Sequence, residues 1–142
     1  MRTKKPLVID SSVAVKWLNK QNENYIDQAD KILRDVQKEK TYLIMPELAK
    51  YEIGNALLYK SMPLQNTLGS LATFYDIPIQ FVAQDKEQAQ VAIQIAHKQQ
   101  LTFYDASFMA LAKEQKATLI TDNPKHQKKR IAGLKVISLK DY

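Results

Sequence analysis

Four acidic residues sit in apolar surroundings that ordinary solvated acids avoid. Asp10 ends the run Leu7-Val8-Ile9, and Asp122 follows Leu119-Ile120-Thr121. Glu52 stands beside Ile53, Ala56 and Leu57, and Asp105 precedes Ala106, Phe108, Met109 and Ala110. Each has a structural explanation when taken singly. Asp10 can cap a helix, Asp105 can answer a helix dipole, Glu52 can be a partly exposed helix acid, and Asp122 can form a turn in Asp122-Asn123-Pro124. Taken together they read differently. Carboxylates brought to one edge repel one another and cost stability unless a cation is present. Oxygen donors without Cys or His select a hard cation, Mg²⁺ or Mn²⁺. Such an ion binds phosphate oxygens and activates water, which is the chemistry of phosphodiester hydrolysis.

The elements that must position these acids alternate in type. Leu7-Val8-Ile9, Thr41–Met45, Ile77–Val82, Thr118–Thr121 and Val136–Leu139 read as short strands. The first and fourth are nearly unbroken apolar runs, as expected of central strands covered on both faces. A helix capped by Ser11 or Ser12 is expected to run to about Asn19. Further helices are expected over Tyr25–Lys38, from Pro46 to about Lys60, over Leu64–Tyr75, over Lys86–Lys98 and over Tyr104–Lys116. The Lys86–Lys98 helix is expected to carry Ala89, Ala92, Ile93 and Ala96 on one face. Strands alternating with helices predict an α/β fold, a three-layer α/β/α sandwich whose central, mostly parallel sheet has about five strands. The strand C-terminal ends then share one edge, where such folds build their sites. Asp10 and Asp122 meet there if their strands are neighbours.

Composition narrows the chemistry. The 142 residues are read as one domain spanning 1–142, with enough apolar content at 45% to exclude disorder. No cysteine occurs, which removes disulfides, thiolate zinc sites and a cysteine nucleophile. The three glycines form no phosphate loop. A net charge of +6 favours acidic partners such as nucleic acid. No membrane span or signal segment is legible, so a cytoplasmic location is expected. The run Lys125–Arg130 is either a solvated loop or a contact for an RNA backbone. Trp17 and Tyr51 read as packing residues, and His126 as dispensable, because a metal-activated water supplies the nucleophile without it.

The order Val8-Ile9-Asp10-Ser11-Ser12, Glu52-Ile53-Gly54-Asn55-Ala56-Leu57, Tyr104-Asp105-Ala106 and Leu119-Ile120-Thr121-Asp122 resembles a PIN domain, most closely the VapC-type toxin of prokaryotic toxin–antitoxin pairs. Gly133-Leu134-Lys135-Val136 resembles the family's last strand. The resemblance covers essentially the whole chain. It implies a Mg²⁺-dependent endoribonuclease (Mn²⁺ as substitute) with Asp10, Glu52 and Asp105 as metal-binding and catalytic acids. It favours Glu52 over Glu47, because Glu52 heads Glu-Ile-Gly-Asn. Ser11 and Thr121 are implied as supporting hydroxyls, Ser11 by capping and Thr121 by orienting a carboxylate or water.

The fourth acid departs from the family pattern of Thr, any residue, Asp. Here Asn123 takes the acid's place and Asp122 comes one residue early. Either Asp122 reaches the metal from a shifted register, or Asn123 contributes a neutral oxygen. The resemblance further implies an RNA substrate, a cognate antitoxin and a homodimer, and no membrane association. Apolar surface on the Tyr25–Lys38 and Leu64–Tyr75 helices is the sequence motive for the dimer. Two other readings stay within the family: an RNA-processing nuclease without an antitoxin, and an inactive scaffold. Receiver-type and haloacid-dehalogenase-type readings lack the acid pair or the second Asp those families need near the first strand.

Overall fold

The computed structural model describes residues 3–127 and 129–142. Its sheet has five strands, β1 (Lys5–Ile9), β2 (Thr41–Pro46), β3 (Ile79–Val82), β4 (Thr118–Thr121) and β5 (Lys135–Ser138). All neighbours are parallel, in the order β3-β2-β1-β4-β5. The helices are α1 (Ser11–Ala14), which continues as a 3-10 turn over Val15–Trp17, α2 (Ile26–Gln37), α3 (Leu48–Tyr59), α4 (Leu64–Asp76), α5 (Lys86–Gln99), α6 (Phe103–Glu114) and α7 (Pro124–Gln127). This is the expected α/β architecture, with a wholly parallel sheet.

Burial explains the strand order. Val8 and Ile9 in β1, Ile44 and Met45 in β2, and Leu119 and Ile120 in β4 are consecutive and all buried. Adjacent strand residues face opposite ways, so both faces of the central strands are covered. Helix α6 packs on β1, β2 and β4, while α2 and α3 pack on β2 and α1 on β4. Every residue of α6 from Ala106 to Ala112 is buried, which fits an apolar run interrupted only by Ser107.

Three expectations need correction. Pro46 closes β2 rather than opening the following helix, because it pairs with Val82 of β3. Position 10, not Ser11 or Ser12, is the N-cap of α1, with its backbone in the extended region. In α5 the buried positions are Gln88, Ala92 and Ile95, and Ile93 is 56% exposed. Spacing by four and then three residues keeps 88, 92 and 95 on one face, which turns Ile93 outward. No helix among the described residues is long and apolar enough to cross a membrane.

Candidate active site

Strand register sets the site. Ile9 of β1 lies beside Ile120 of β4, and the Asp10 amide continues the ladder to the Ile120 carbonyl at 3.0 Å. Asp10 therefore stands abreast of Thr121 at the C-terminal edge. Its carbonyl accepts the Val13 and Ala14 amides at 2.9 and 3.2 Å and so starts α1. The side chain makes no cap bond. It turns inward, and Oδ2 accepts the Thr121 hydroxyl at 2.7 Å and the Ser12 hydroxyl at 2.9 Å.

Glu52 comes from the second turn of α3 and Asp105 from the first turn of α6. Ser11 Oγ donates to Glu52 Oε1 at 2.9 Å. Ser11 thus supports the site by holding a carboxylate, not by capping. Thr102 caps α6 by accepting the Asp105 amide at 3.0 Å. That cap leaves the Asp105 side chain at the mouth of the site. Asp10, Glu52 and Asp105 lie close enough for each ionised group to disfavour ionisation of a neighbour.

His126 is the imidazole among these acids. It is 0% exposed, with Nδ1 3.3 Å from Thr121 Oγ1 and 3.6 Å from Asp10 Oδ2. Its Nε2 is 3.3 Å from Asp105 Oδ1, an ion-pair approach without a well-aligned hydrogen bond. Burial pushes the Asp10 carboxyl above its usual range, and His126, Thr121 and Ser12 only partly offset this. Burial also raises Glu52, reinforced by Asp10 and Asp105 and opposed by Ser11. Asp105 is lowered, chiefly by His126. For His126, burial disfavours the imidazolium, but Asp105, Asp10 and Glu52 outweigh it and hold the ring above its ordinary value.

Asp122 faces another partner. Its Oδ2 is 3.0 Å from Lys16 Nζ, and its amide donates to Ser12 Oγ at 3.1 Å. Lys16 is only 2% exposed and also meets Glu23 at 2.9 Å. Glu23 in turn holds Lys60 at 2.6 Å. Asn123 turns back on its own chain. Its amide donates to Thr121 Oγ1 and its Oδ1 accepts the Lys125 amide, both at 3.0 Å, which starts α7. Asp10, Glu52, Asp105 and Thr121 are thus gathered, while the side chains of Asp122 and Asn123 are committed elsewhere.

The sequence reading missed the place of His126. The signal was present. Asn123 before Pro124 is a helix-start signature, and one short turn from it brings position 126 back over Thr121. Within the basic run, Lys125 and Arg130 are exposed, and Lys128 lies outside the described residues. Trp17 does pack, its indole N–H donating to the Ala29 carbonyl at 2.8 Å, whereas Tyr51 is 79% exposed and is no packing residue.

Among the described residues, no group of three His, Asp or Glu side chains stands in a finished metal-holding arrangement. The donor chemistry nonetheless fits a hard divalent cation. Three carboxylates from three elements converge, burial and mutual repulsion oppose the ionisation of two of them, and the His126 imidazole lies between Asp10 and Asp105.

The model of the PIN domain family matches residues 7–132. No curated protein sequence matches the chain. Solved structures similar to it include the VapBC2 complex of Rickettsia felis bound to promoter DNA, with 16% identity, a TM-score of 0.72 and coverage of 94% of this chain and 98% of that one. DNA-bound VapBC of Salmonella typhimurium gives 14% identity, a TM-score of 0.67, and 96% and 99% coverage. VapC20 of Mycobacterium tuberculosis, a sarcin–ricin loop cleaving toxin, gives 11% identity, a TM-score of 0.64, and 88% and 96% coverage. At these identities the solved structures speak to the fold, and the family model speaks to the sequence. By that match across most of its length, the chain belongs to the PIN domain family.

Proposed function

We propose that the chain is a Mg²⁺-dependent endoribonuclease and the toxin of a type II toxin–antitoxin pair. The observation that carries this reading is the convergence of Asp10, Glu52 and Asp105 at the C-terminal sheet edge, with ionisation of Asp10 and Glu52 opposed by burial and mutual repulsion. A cluster that resists its own charge is arranged for a cation. Asp10, Glu52 and Asp105 would hold Mg²⁺ or Mn²⁺. Such an ion neutralises charge on a phosphate and acidifies water.

The chain's own residues supply the rest. Thr121 and Ser12 fix the Asp10 oxygen, and Ser11 fixes Glu52. Glu52, with its raised pKa, would serve as ligand to the ion or orient a water and accept its proton. His126 lies between Asp10 and Asp105, 3.6 and 3.3 Å from their carboxylate oxygens, and its positive form would offset their repulsion. Lys125, exposed on α7, offers attraction to a phosphodiester backbone that the carboxylates would repel. In this reading Asp122 anchors the β4–α7 turn on Lys16 and takes no part in binding the ion.

A protein partner is supported by the VapBC complexes among the similar structures. Leu58 and Tyr59 on α3 and Leu64, Leu68 and Tyr75 on α4 expose apolar surface that a homodimer or an antitoxin would cover. Helix α2 contributes little to such a surface, because its Ala29 and Ile32 are spent on the core. Sequencing RNA ends after brief expression tests the activity. New ends are expected with the wild type and not with Asp10→Asn, and purified protein is expected to stop cleaving in EDTA. Cleavage that survives both changes would remove the metal-dependent reading.

A further inference from the structure

A second recess adjoins the carboxylates. It is a cavity of about 140 Å³ between the C-terminal ends of β2 and β3 and the first turns of α3 and α6. Leu48, Phe103 and Tyr104 line it together with the polar Glu47, Gln84 and Ser107. Two features tie it to the proposed catalytic site. Leu48 and Glu52 are four residues apart on α3 and so share one face. Tyr104 directly precedes Asp105 on α6.

The chemistry of the lining is specific. Tyr104 is 60% exposed while Phe103 and Asp105 on either side are half-buried, which leaves an aromatic side chain open next to Asp105. The Ser107 hydroxyl donates to the Phe103 carbonyl at 2.7 Å and accepts from Gln84 Nε2 at 3.2 Å. Glu47 Oε2 is held by Lys50 at 2.9 Å, which fixes the carboxylate, and that single contact uses one of the several acceptor sites its two oxygens offer. An aromatic surface with a carboxylate at its edge suits a flat heteroaromatic ring that stacks and presents N–H groups. Single-stranded RNA offers such rings on its bases. Guanine alone places two donors, N1–H and N2–H, side by side for one carboxylate.

We propose that this cavity is a nucleobase subsite for the residue next to the scissile phosphate, with Tyr104 and Phe103 as its stacking surfaces and Glu47 selecting guanine. The proposal rests on the nuclease reading above, and the two can fail separately.

The test uses a randomised RNA pool cleaved in Mg²⁺ by wild type, Glu47→Gln, Tyr104→Ala and Tyr104→Phe, with the new ends sequenced. Alongside it, anisotropy measures binding of short labelled oligonucleotides carrying guanine, inosine or adenine, with Ca²⁺ replacing Mg²⁺. The wild type should cut beside a fixed guanine and bind the guanine oligonucleotide roughly ten-fold or more above the adenine one, as expected for a lost bidentate base contact. Inosine, which lacks N2–H, should fall between them. Glu47→Gln should flatten the preference. Tyr104→Ala should raise KM about ten-fold with kcat little changed, in line with loss of one base stack. Tyr104→Phe should restore KM.

Cleavage without a guanine preference, or a preference unchanged in Glu47→Gln, would overturn the subsite and spare the nuclease reading. Guanine-selective binding without any cleavage would do the reverse. Unaltered RNA binding by Tyr104→Ala would also overturn the proposal and leave the cavity as a slot for a protein side chain. Both altered positions are partly or largely exposed, so unchanged melting temperatures are the folding control.

Discussion

Lys16 Nζ lies 3.0 Å from Asp122 Oδ2, with almost none of the lysine in contact with solvent. This pair links α1's 3-10 extension to the turn after β4, the same turn whose next residues carry His126 into the site. Glu23 and Lys60 extend the chain of charges, so two lysines and two acids alternate. A buried ammonium is tolerated only when its partners are in place. The pair therefore serves the geometry of the β4–α7 turn as well as its own charge balance.

Lys16→Met should lower stability by about 3 kcal/mol, the low end for breaking a buried ion pair, because Glu23 keeps Lys60 and Asp122 can hydrate. Asp122→Asn should cost less. The double variant should be less destabilised than the sum of the two, which a double-mutant cycle by denaturant unfolding measures. Strict additivity would mean that the two side chains do not act as a pair. Asp122→Asn should also leave stabilisation by Mg²⁺ nearly unchanged, and loss of that stabilisation would return Asp122 to the metal site.

Thr121 offers a sharper probe of preorganisation. Its single hydroxyl donates to Asp10, accepts the Asn123 amide and lies beside His126. Thr121→Val keeps the volume and removes all three contacts. A cost of roughly 1–3 kcal/mol is expected from the unsatisfied buried partners. If RNA is the substrate, kcat should fall more than KM rises, since the hydroxyl fixes a carboxylate rather than the substrate. Steady-state kinetics on one mapped RNA site would separate the two.

Much of this was legible before any coordinates. The apolar runs before Asp10 and Asp122 identify β1 and β4 as doubly covered strands, but their adjacency is seen only in the pairing of Ile9 with Ile120, because β2 is equally apolar and equally buried. Glu52 and Asp105 were legible from acids embedded in apolar helix segments. Asp122 was misleading for a physical reason. In sequence it looks like the end-of-strand acid that Asp10 is, yet its partner Lys16 is more than a hundred positions away, and no local pattern reveals a buried lysine. His126 was hidden inside a basic run whose charge suggests solvent. The α5 face was misjudged by one residue, since its alanines fit several helical stripes and only packing against α6 chooses among them.

A pH-dependent element lies at the opposite end of the sheet. Asp35 on α2 accepts the Tyr142 hydroxyl at 2.6 Å and the Lys31 ammonium at 3.0 Å. Burial raises its pKa, but these two contacts overcome that and hold it below the usual carboxylate range. A depressed folded-state pKa contributes stability that is present above the unfolded value and lost as pH falls through the folded one. Asp35→Asn should therefore be destabilised by about 1–3 kcal/mol at neutral pH, the range for hydrogen bonds to a charged group. The difference from wild type should close in acid. A gap that persists unchanged below the carboxylate range would assign the loss to packing.

The acids of the proposed catalytic site should separate by the sign of their shifts. Glu52 is raised, so its ionisation at neutral pH opposes folding, and that penalty is relieved as pH falls through its raised pKa. Glu52→Gln without metal should be as stable as wild type or more so. Asp105 is lowered by His126, and His126 is raised by the acids around it. Their attraction stabilises the fold most between the ordinary carboxylate and imidazole ranges, and fades as pH rises through the raised His126 value. Asp105→Asn should accordingly be less stable than wild type at pH 6 in EDTA, and the deficit should shrink at pH 9. Mg²⁺ should stabilise wild type more than either variant, since a ligand held only by the folded state contributes RT ln(1 + [L]/Kd). Thermal scans of the three proteins at both pH values, with EDTA and with Mg²⁺, measure all of this. Equal Mg²⁺ shifts in all three would mean that neither carboxylate holds the ion. A stability gain in Asp105→Asn at pH 6 would mean that repulsion from Asp10 and Glu52, rather than attraction to His126, governs that corner of the site.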